Sequence, residues 1–222
     1  LRELGIESEV DPAGNLIARW ESGSGKPIAV GSHLDSVPRG GRFDGTLGVV
    51  SGLHAIRLLK ERGVEPQRPV WLISFNDEDG GRFGTTGAAL AQCERLLREG
   101  AHILDIGGES SRPGAAPVAV EVELARVVPV LRAAVGLGCA VSIDTTKAEV
   151  MRAALDLGAD IVNDIAALHG PGALDVVAAH PRCGVCLMHM RGTPATMRDE
   201  ARYDDVVAEV VAFLSERIAA AE

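Results

Sequence analysis

Two sets of polar side chains in this sequence have the types and spacing to do chemistry. The first is His33 and Asp35 in "GSHLDS", Asp44 in "GRFDGTLG", and Glu78 and Asp79 in "FNDEDGG". A His-x-Asp pair at the end of a buried strand suits a metal site, with the imidazole as ligand and a nearby carboxylate to orient it. A bridging carboxylate, a terminal carboxylate and a general-base glutamate would complete a hydrolytic dinuclear centre. The second set is Asp105 in "ILDIGG", Asp144 in "SIDTT", Asn163 in "IVNDI" and His189 in "CLMHM", each at the end of an apolar run. Parallel αβ barrels bind ligands at the carboxyl ends of their strands. A carboxylate and an amide converging there match the donor/acceptor edge of a flat heterocycle. The loop "GGESSRPGA" adds Arg112, suited to an anionic group. A single carboxylate at a strand end serves equally well as a cap, but four successive polar strand ends favour a site.

These residues need elements to hold them. Residues 8–20 read as two short strands joined by a Pro/Gly/Asn turn, and "PIAVGSHLD" as a buried strand with a polar end. Gly45 to Gly63 reads as a helix with Val49, Leu53, Ile56 and Leu59 near one face, followed by the buried strand "RPVWLISF". Beyond it the rhythm becomes regular. Helix "GAALAQCERLLREG" leads to strand "AHILDIGG", and helix "VEVELARVVPVLRAAVGLG" to strand "CAVSIDT". Helix "KAEVMRAALDLG" leads to strand "DIVNDIAAL", and helix "GALDVVAAH" to "CGVCLMHM", with a last helix starting near Tyr203. Short apolar strands alternating with amphipathic helices predict parallel βαβ units. The texture changes near residues 76–90.

Composition bounds the partners. The chain has 222 residues, 46% hydrophobic and 24% charged, which reads as a soluble globular protein with a core. A formal net charge of −9 disfavours nucleic acid and anionic membranes, and 3% aromatic residues offer little stacking surface for bases. No apolar run approaches the ~20 residues of a membrane span, and no secretory leader is visible. Cys183 and Cys186 have C-x-x-C spacing within a strand-like run, where they would point to opposite faces; core cysteines in a reducing cytoplasm are the expectation. The chain opens on Leu1 in what reads as a helix end and closes inside another helix, which reads as a fragment.

"VDPAGNLIARW", "GSHLDSVPRGGRFDGTLGVVSGLHAIRLLKERG" and "WLISFNDEDGGRFG" resemble the N-carbamoyl-L-amino acid hydrolases and allantoate amidohydrolases, dinuclear metal hydrolases of the aminoacylase/carboxypeptidase type. The resemblance covers roughly residues 1–84. It implies zinc or manganese, with His33 a ligand, Asp44 the bridging ligand, Glu78 the general base and Asp79 the second-metal ligand, where the family usually has Glu. The family's two later histidine ligands have no counterpart among His102, His169, His180 and His189.

"EGAHILDIGGESSRPGA", "VSIDTTKAEVMRAAL", "GADIVNDIAAL" and "LMHMRGTPATM" resemble the dihydropteroate synthases over roughly residues 79–222. The resemblance implies a TIM barrel of folate biosynthesis that joins p-aminobenzoate to a dihydropterin methyl pyrophosphate, with magnesium. It assigns Asp144 and Asn163 to the pterin ring, Asp105 beneath the same pocket, and Met188 to its wall. Ser111, where Thr is usual, and Arg112 would belong to the loop closing over p-aminobenzoate and pyrophosphate. Of the family's first-strand loop only "DGGRF" survives, and the late strands are missing.

The expected fold is therefore α/β: a partial (β/α)8 TIM barrel of about five βα units over residues 80–222, preceded by an α/β metal-hydrolase fragment over residues 1–79. The expected partners are pterin and p-aminobenzoate, with a homodimer as a candidate assembly. Three functions stand: a truncated dihydropteroate synthase, a truncated metal-dependent amidohydrolase, and a chimera without catalysis. "DGGRF" fits both families, which makes it the expected seam.

Overall fold

The computed structural model describes residues 1–11, 15–34, 45–75 and 85–222. The chain divides into two compact units, one of Leu1–Arg82 with Glu99–Ala101 and one of Phe83–Arg98 with His102–Glu222.

In the first unit a short 3-10 turn, Arg2–Leu4, precedes β1 (Glu7–Val10), β2 (Leu16–Trp20), β3 (Ile28–His33), α1 (Thr46–Glu61) and β4 (Val70–Phe75). The sheet order is β1-β2-β4-β3, with β3 and β4 parallel and the other pairs antiparallel. Asp11 braces the start of β2: its carboxylate accepts from the Asn15 amide N–H at 2.8 Å and side-chain Nδ2 at 2.9 Å. Ile6, Ala18, Trp20, Ile56, Val70 and Leu72 form the core, and Leu53 and Leu59 of α1 pack against it, as the helical spacing predicts. The "PIAVGSHLD" strand is half-buried and half-exposed in alternation rather than buried, because β3 lies at a sheet edge.

The second unit contains α2 (Thr86–Arg98), β5 (Ile103–Gly107), α3 (Val120–Ala134), β6 (Ala140–Asp144), α4 (Ala148–Leu157), β7 (Ile161–Asp164), α5 (Ala173–Ala178), β8 (Gly184–Leu187), α6 (Met197–Glu200) and α7 (Val206–Ala221). Its strands pair in parallel in the order β5-β6-β7-β8. This is the α/β class and partial barrel expected, with four strands in its sheet among the described residues. The "VWLISF" strand pairs with β2 and β3 in the first unit's sheet.

Strand alternation sorts the second sheet's side chains. Leu104, Ile106, Val141, Ile143 and Val162 are buried. Helix α3 places Glu123, Val127, Val130, Leu131 and Ala134 on its buried stripe, and α4 buries Val150, Met151, Ala154 and Leu155. Helix α7 starts at Asp205, whose carboxylate accepts from Ala208 N–H at 3.0 Å.

Strand β7 stops at Asp164, short of the expected run to Leu168. Ala167 and Leu168 take φ of 51° and 60°, left-handed values unusual for these residue types. The fully buried Asp164 holds this turn by accepting from Ala166 N–H at 2.7 Å and Leu168 N–H at 2.8 Å. Arg217 of α7 donates to the carbonyls of Ala167 at 2.8 Å and Leu168 at 3.1 Å, so one buried guanidinium docks the helix on the turn.

Candidate functional site

Asp105, Ser142, Asp144 and Asn163 share one face of the second unit's sheet. Asp105 stands opposite Ser142, Asp144 opposite both Gly107 and Asn163, and Asn163 opposite Cys186. These residues alternate with the buried apolar set, so one row of neighbouring strands presents Asp144, Asn163 and Cys186. The row behind it presents Asp105 and Ser142.

Asn163 Nδ2 donates to Asp105 Oδ2 at 3.0 Å, across strands that are not adjacent. Solvent reaches Asp105, yet protein crowds it on its other sides, and this desolvation raises its carboxyl above the usual carboxylate range. Hydrogen bonds from Ser142 and Asn163 oppose the rise. The Cys186 thiol, half-buried at the edge strand, is pushed up to about 12 by desolvation and then by Asp105, Asp144 and Asp164. A carboxyl beside an amide presents acceptors and a donor together, which suits a heterocycle bearing both kinds of group.

The remaining predicted residues surround this row in sequence. Met188 directly follows β8, and its N–H donates to the Asp164 carbonyl at 3.3 Å. Ser111 and Arg112 lie half-buried on the loop from β5 to α3, next to Gly114, whose N–H donates to the Pro194 carbonyl at 2.6 Å. Asp105, Asp144 and Asn163 are thus brought together on the sheet, while Ser111 and Arg112 come from the connection at its edge. His189 lies past the end of β8 and packs edge-on against Phe213 at 4.9 Å and tilted against Tyr203 at 5.8 Å. Burial, and then Arg191, hold its imidazole below the ordinary histidine range. The paired cysteines are half-buried rather than core, because β8 is an edge strand.

Sequence reasoning missed Ser142 and a charged cluster beneath the β5–α3 loop. Glu123, fully buried, accepts from Thr145 Oγ1 at 2.6 Å and Lys147 Nζ at 2.5 Å, and Lys147 Nζ also reaches Glu109 at 2.9 Å. A signal did exist: Glu123 occupies the apolar stripe of α3, where a charge needs a partner.

In the first unit, His33 is buried at the end of β3. Gly45 lies against its ring with φ of 64°, and a side chain at 45 would meet Cε1 and Nδ1 at 2.5 Å. Asp35, Asp44, Glu78, Asp79 and the expected seam lie outside the described residues. Among the described residues, no group of three or more His, Cys, Asp or Glu is placed to hold a metal ion. No described helix is long and apolar enough to cross a membrane.

A parallel sheet with a linked Asp–Asn–Ser set on one face and buried apolar residues on the other belongs to the αβ-barrel class. The family model for pterin binding enzymes matches residues 76–222, and the chain belongs to that family. The model for Peptidase family M28 matches residues 15–102, a similarity of the N-terminal segment to hydrolases. Dihydropteroate synthase of Neisseria meningitidis serogroup B is 50% identical over 164 residues, covering 72% of this chain and 58% of that protein. The Escherichia coli enzyme is 48% identical over 145 residues, 65% of this chain and 51% of that protein. Among solved structures, Xanthomonas albilineans dihydropteroate synthase with 4-aminobenzoic acid matches at 53% identity and a TM-score of 0.57, covering 66% of this chain and 51% of that one. The Burkholderia cenocepacia enzyme complexed with 7,8-dihydropteroate matches at 50% identity and 0.58, covering 62% and 49%. The chain spans between half and three fifths of the length of these curated relatives.

Proposed function

We propose that the second unit is the pterin-binding part of a dihydropteroate synthase-type transferase of folate biosynthesis. The observation that carries this reading is the 3.0 Å bond from Asn163 to Asp105, on the sheet face that also presents Asp144 and Ser142. Asp144 and Asn163 hold the donor/acceptor edge of the pterin ring, Asp105 lies beneath it, and Met188 forms a wall. Ser111 and Arg112 bind at the p-aminobenzoate and pyrophosphate end, where the guanidinium pairs with an anion. In the reaction the aniline nitrogen attacks the pterin methylene, the carbon–oxygen bond to pyrophosphate breaks, and the nitrogen loses a proton. The protein's part is to orient the two rings and stabilise charge on the departing pyrophosphate. Magnesium belongs to this family reading; the described residues form no cluster for it, and no step is assigned to it. A homodimer and a cytoplasmic setting complete the reading.

The test is binding. A fluorescent pterin titrated into the purified chain should saturate, and Asp144→Ala should weaken it by about tenfold or more, the loss of a charged hydrogen bond. An unaltered chain that binds no pterin overturns the proposal.

The M28 match and the buried His33 at the end of β3 favour a second reading for the first unit. This is a metal-dependent amidohydrolase of the N-carbamoyl-L-amino acid hydrolase type, with zinc or manganese held by His33, Asp44 and Asp79 and Glu78 as general base. Dialysed protein should then retain stoichiometric metal, and metal-free protein rules it out. If both measurements come back empty, the chain is a non-catalytic chimera of the two families.

A further inference from the structure

The loop from Gly108 to Ala119 carries Ser111 and Arg112, and it is tied down by side chains of two other segments. Glu109 on this loop accepts from Lys147 Nζ at 2.9 Å and from the Val118 N–H, which closes the loop's far end onto its start. The same ammonium reaches Glu123 of α3 at 2.5 Å. Glu123 is fully buried, and its second oxygen accepts from Thr145 Oγ1. Thr145 is itself fixed, its N–H donating to the Asn163 carbonyl at 3.1 Å. Gly108 makes the approach feasible: a Cβ there would lie 2.8 Å from Glu123 Cγ and from Val127 Cγ1. Arg126 of α3 adds a bond to the Gly108 carbonyl at 2.8 Å.

A buried carboxylate without a countercharge is costly, so Glu123 demands the ammonium. An ammonium has three donors, and here two of them go to carboxylates from different elements. We infer that Lys147 is a positioning residue: its ammonium, anchored by buried Glu123, grips Glu109 and so sets the loop that carries Ser111 and Arg112 relative to Asp144 and Asn163. The tether rests on the bonds just described; its value for holding an anion at Arg112 rests on the transferase reading above.

Hydrogen exchange of the whole chain tests the tether. Lys147→Met should speed exchange of the amides in residues 109–118 by about tenfold or more, as expected for losing a charged hydrogen bond, with Val118 among the most affected. Strands β6 and β7 should keep their rates, and Lys147→Arg should restore much of the loop's protection. Unchanged loop exchange in Lys147→Met overturns the inference. Should that variant loosen the entire unit, Glu109→Gln decides, because it neutralises only the loop's end of the tether. Acceleration confined to the loop then upholds the inference, and no change or general acceleration overturns it. Pterin titration of the same samples keeps the two proposals apart: an unaltered chain that binds no pterin removes the transferase reading and leaves the exchange result standing.

Discussion

Asp105 and Asn163 show how much one hydrogen bond decides at the scale of single residues. Desolvation raises the Asp105 carboxyl, and the bonds from Ser142 and Asn163 hold that rise in check. Asn163→Ala removes one brake, so the Asp105 titration followed by carbonyl-carbon NMR should move further up; a downward shift would contradict the assignment. The sign for stability follows. A folded value above the ordinary 3.8 means that the fold binds this proton more tightly than the unfolded chain does. The group therefore takes stability away as pH rises from 3.8 through its folded value. Asp105, Asp144 and Asn163 were legible in the sequence because each interrupts or ends an apolar run. Lys147 and Glu123 were not, because their pairing spans 24 residues and depends on how α3 packs over the sheet. Only the misplaced charge on α3's stripe hinted at it.

The same contrast holds for elements. Helices α1 and α4 lie where apolar periodicity puts them, since a stripe at helical spacing needs nothing beyond local sequence. Strands β3 and β8 read as buried runs yet lie half-buried at sheet edges; strand order is a tertiary property that composition does not carry. The end of β7 was misread for a different reason. The apolar run "IAAL" after Asp164 looks like more strand, and the break depends on Asp164 accepting two backbone bonds and on Arg217, 50 residues after Ala167, bonding the Ala167 carbonyl. Arg217 therefore joins the Phe213–His189 ring contact in docking α7. Arg217→Met should lower the unfolding free energy of the second unit by about 3 kcal/mol, since two buried charge-assisted bonds are lost and two carbonyls are left without their donor. Chemical denaturation checks this, and a change below about 0.5 kcal/mol, the range of an ordinary surface substitution, would show that α7 docks by apolar contact alone.

At the scale of the molecule, the described residues form two sheets of different character, one mixed and one parallel. Each has its own buried residues, with Leu72 central to the first and Val141, Ile143 and Val162 to the second. Units with separate cores should respond separately to core damage. Leu72→Ala should cost the first unit about 3 kcal/mol, the range for truncating a buried leucine. Pterin affinity should stay within about twofold of the unaltered chain, as expected for independent sites. Intrinsic fluorescence of Trp20 and Trp71, both in the first unit, reports the first quantity, and pterin titration reports the second. A parallel fall in both would show that the units fold as one. The change of texture near residues 76–90 was legible because a shift from mixed strands to a βα rhythm is visible in hydrophobic spacing alone.

The Cys186 thiol has a practical consequence for anyone who would probe this face of the sheet. Pushed up to about 12, it is almost wholly protonated at neutral pH, with roughly one thiolate in 10⁵ molecules. Electrophiles and mild oxidants act on thiolates, so this sulfur is chemically silent although it stands beside Asn163 in the sheet. Thiol-directed electrophiles should therefore label Cys186 more slowly than an exposed cysteine, which mass spectrometry of the labelled chain checks. The polar face can therefore be studied with thiol-reactive labels placed elsewhere on the chain without modifying the site itself.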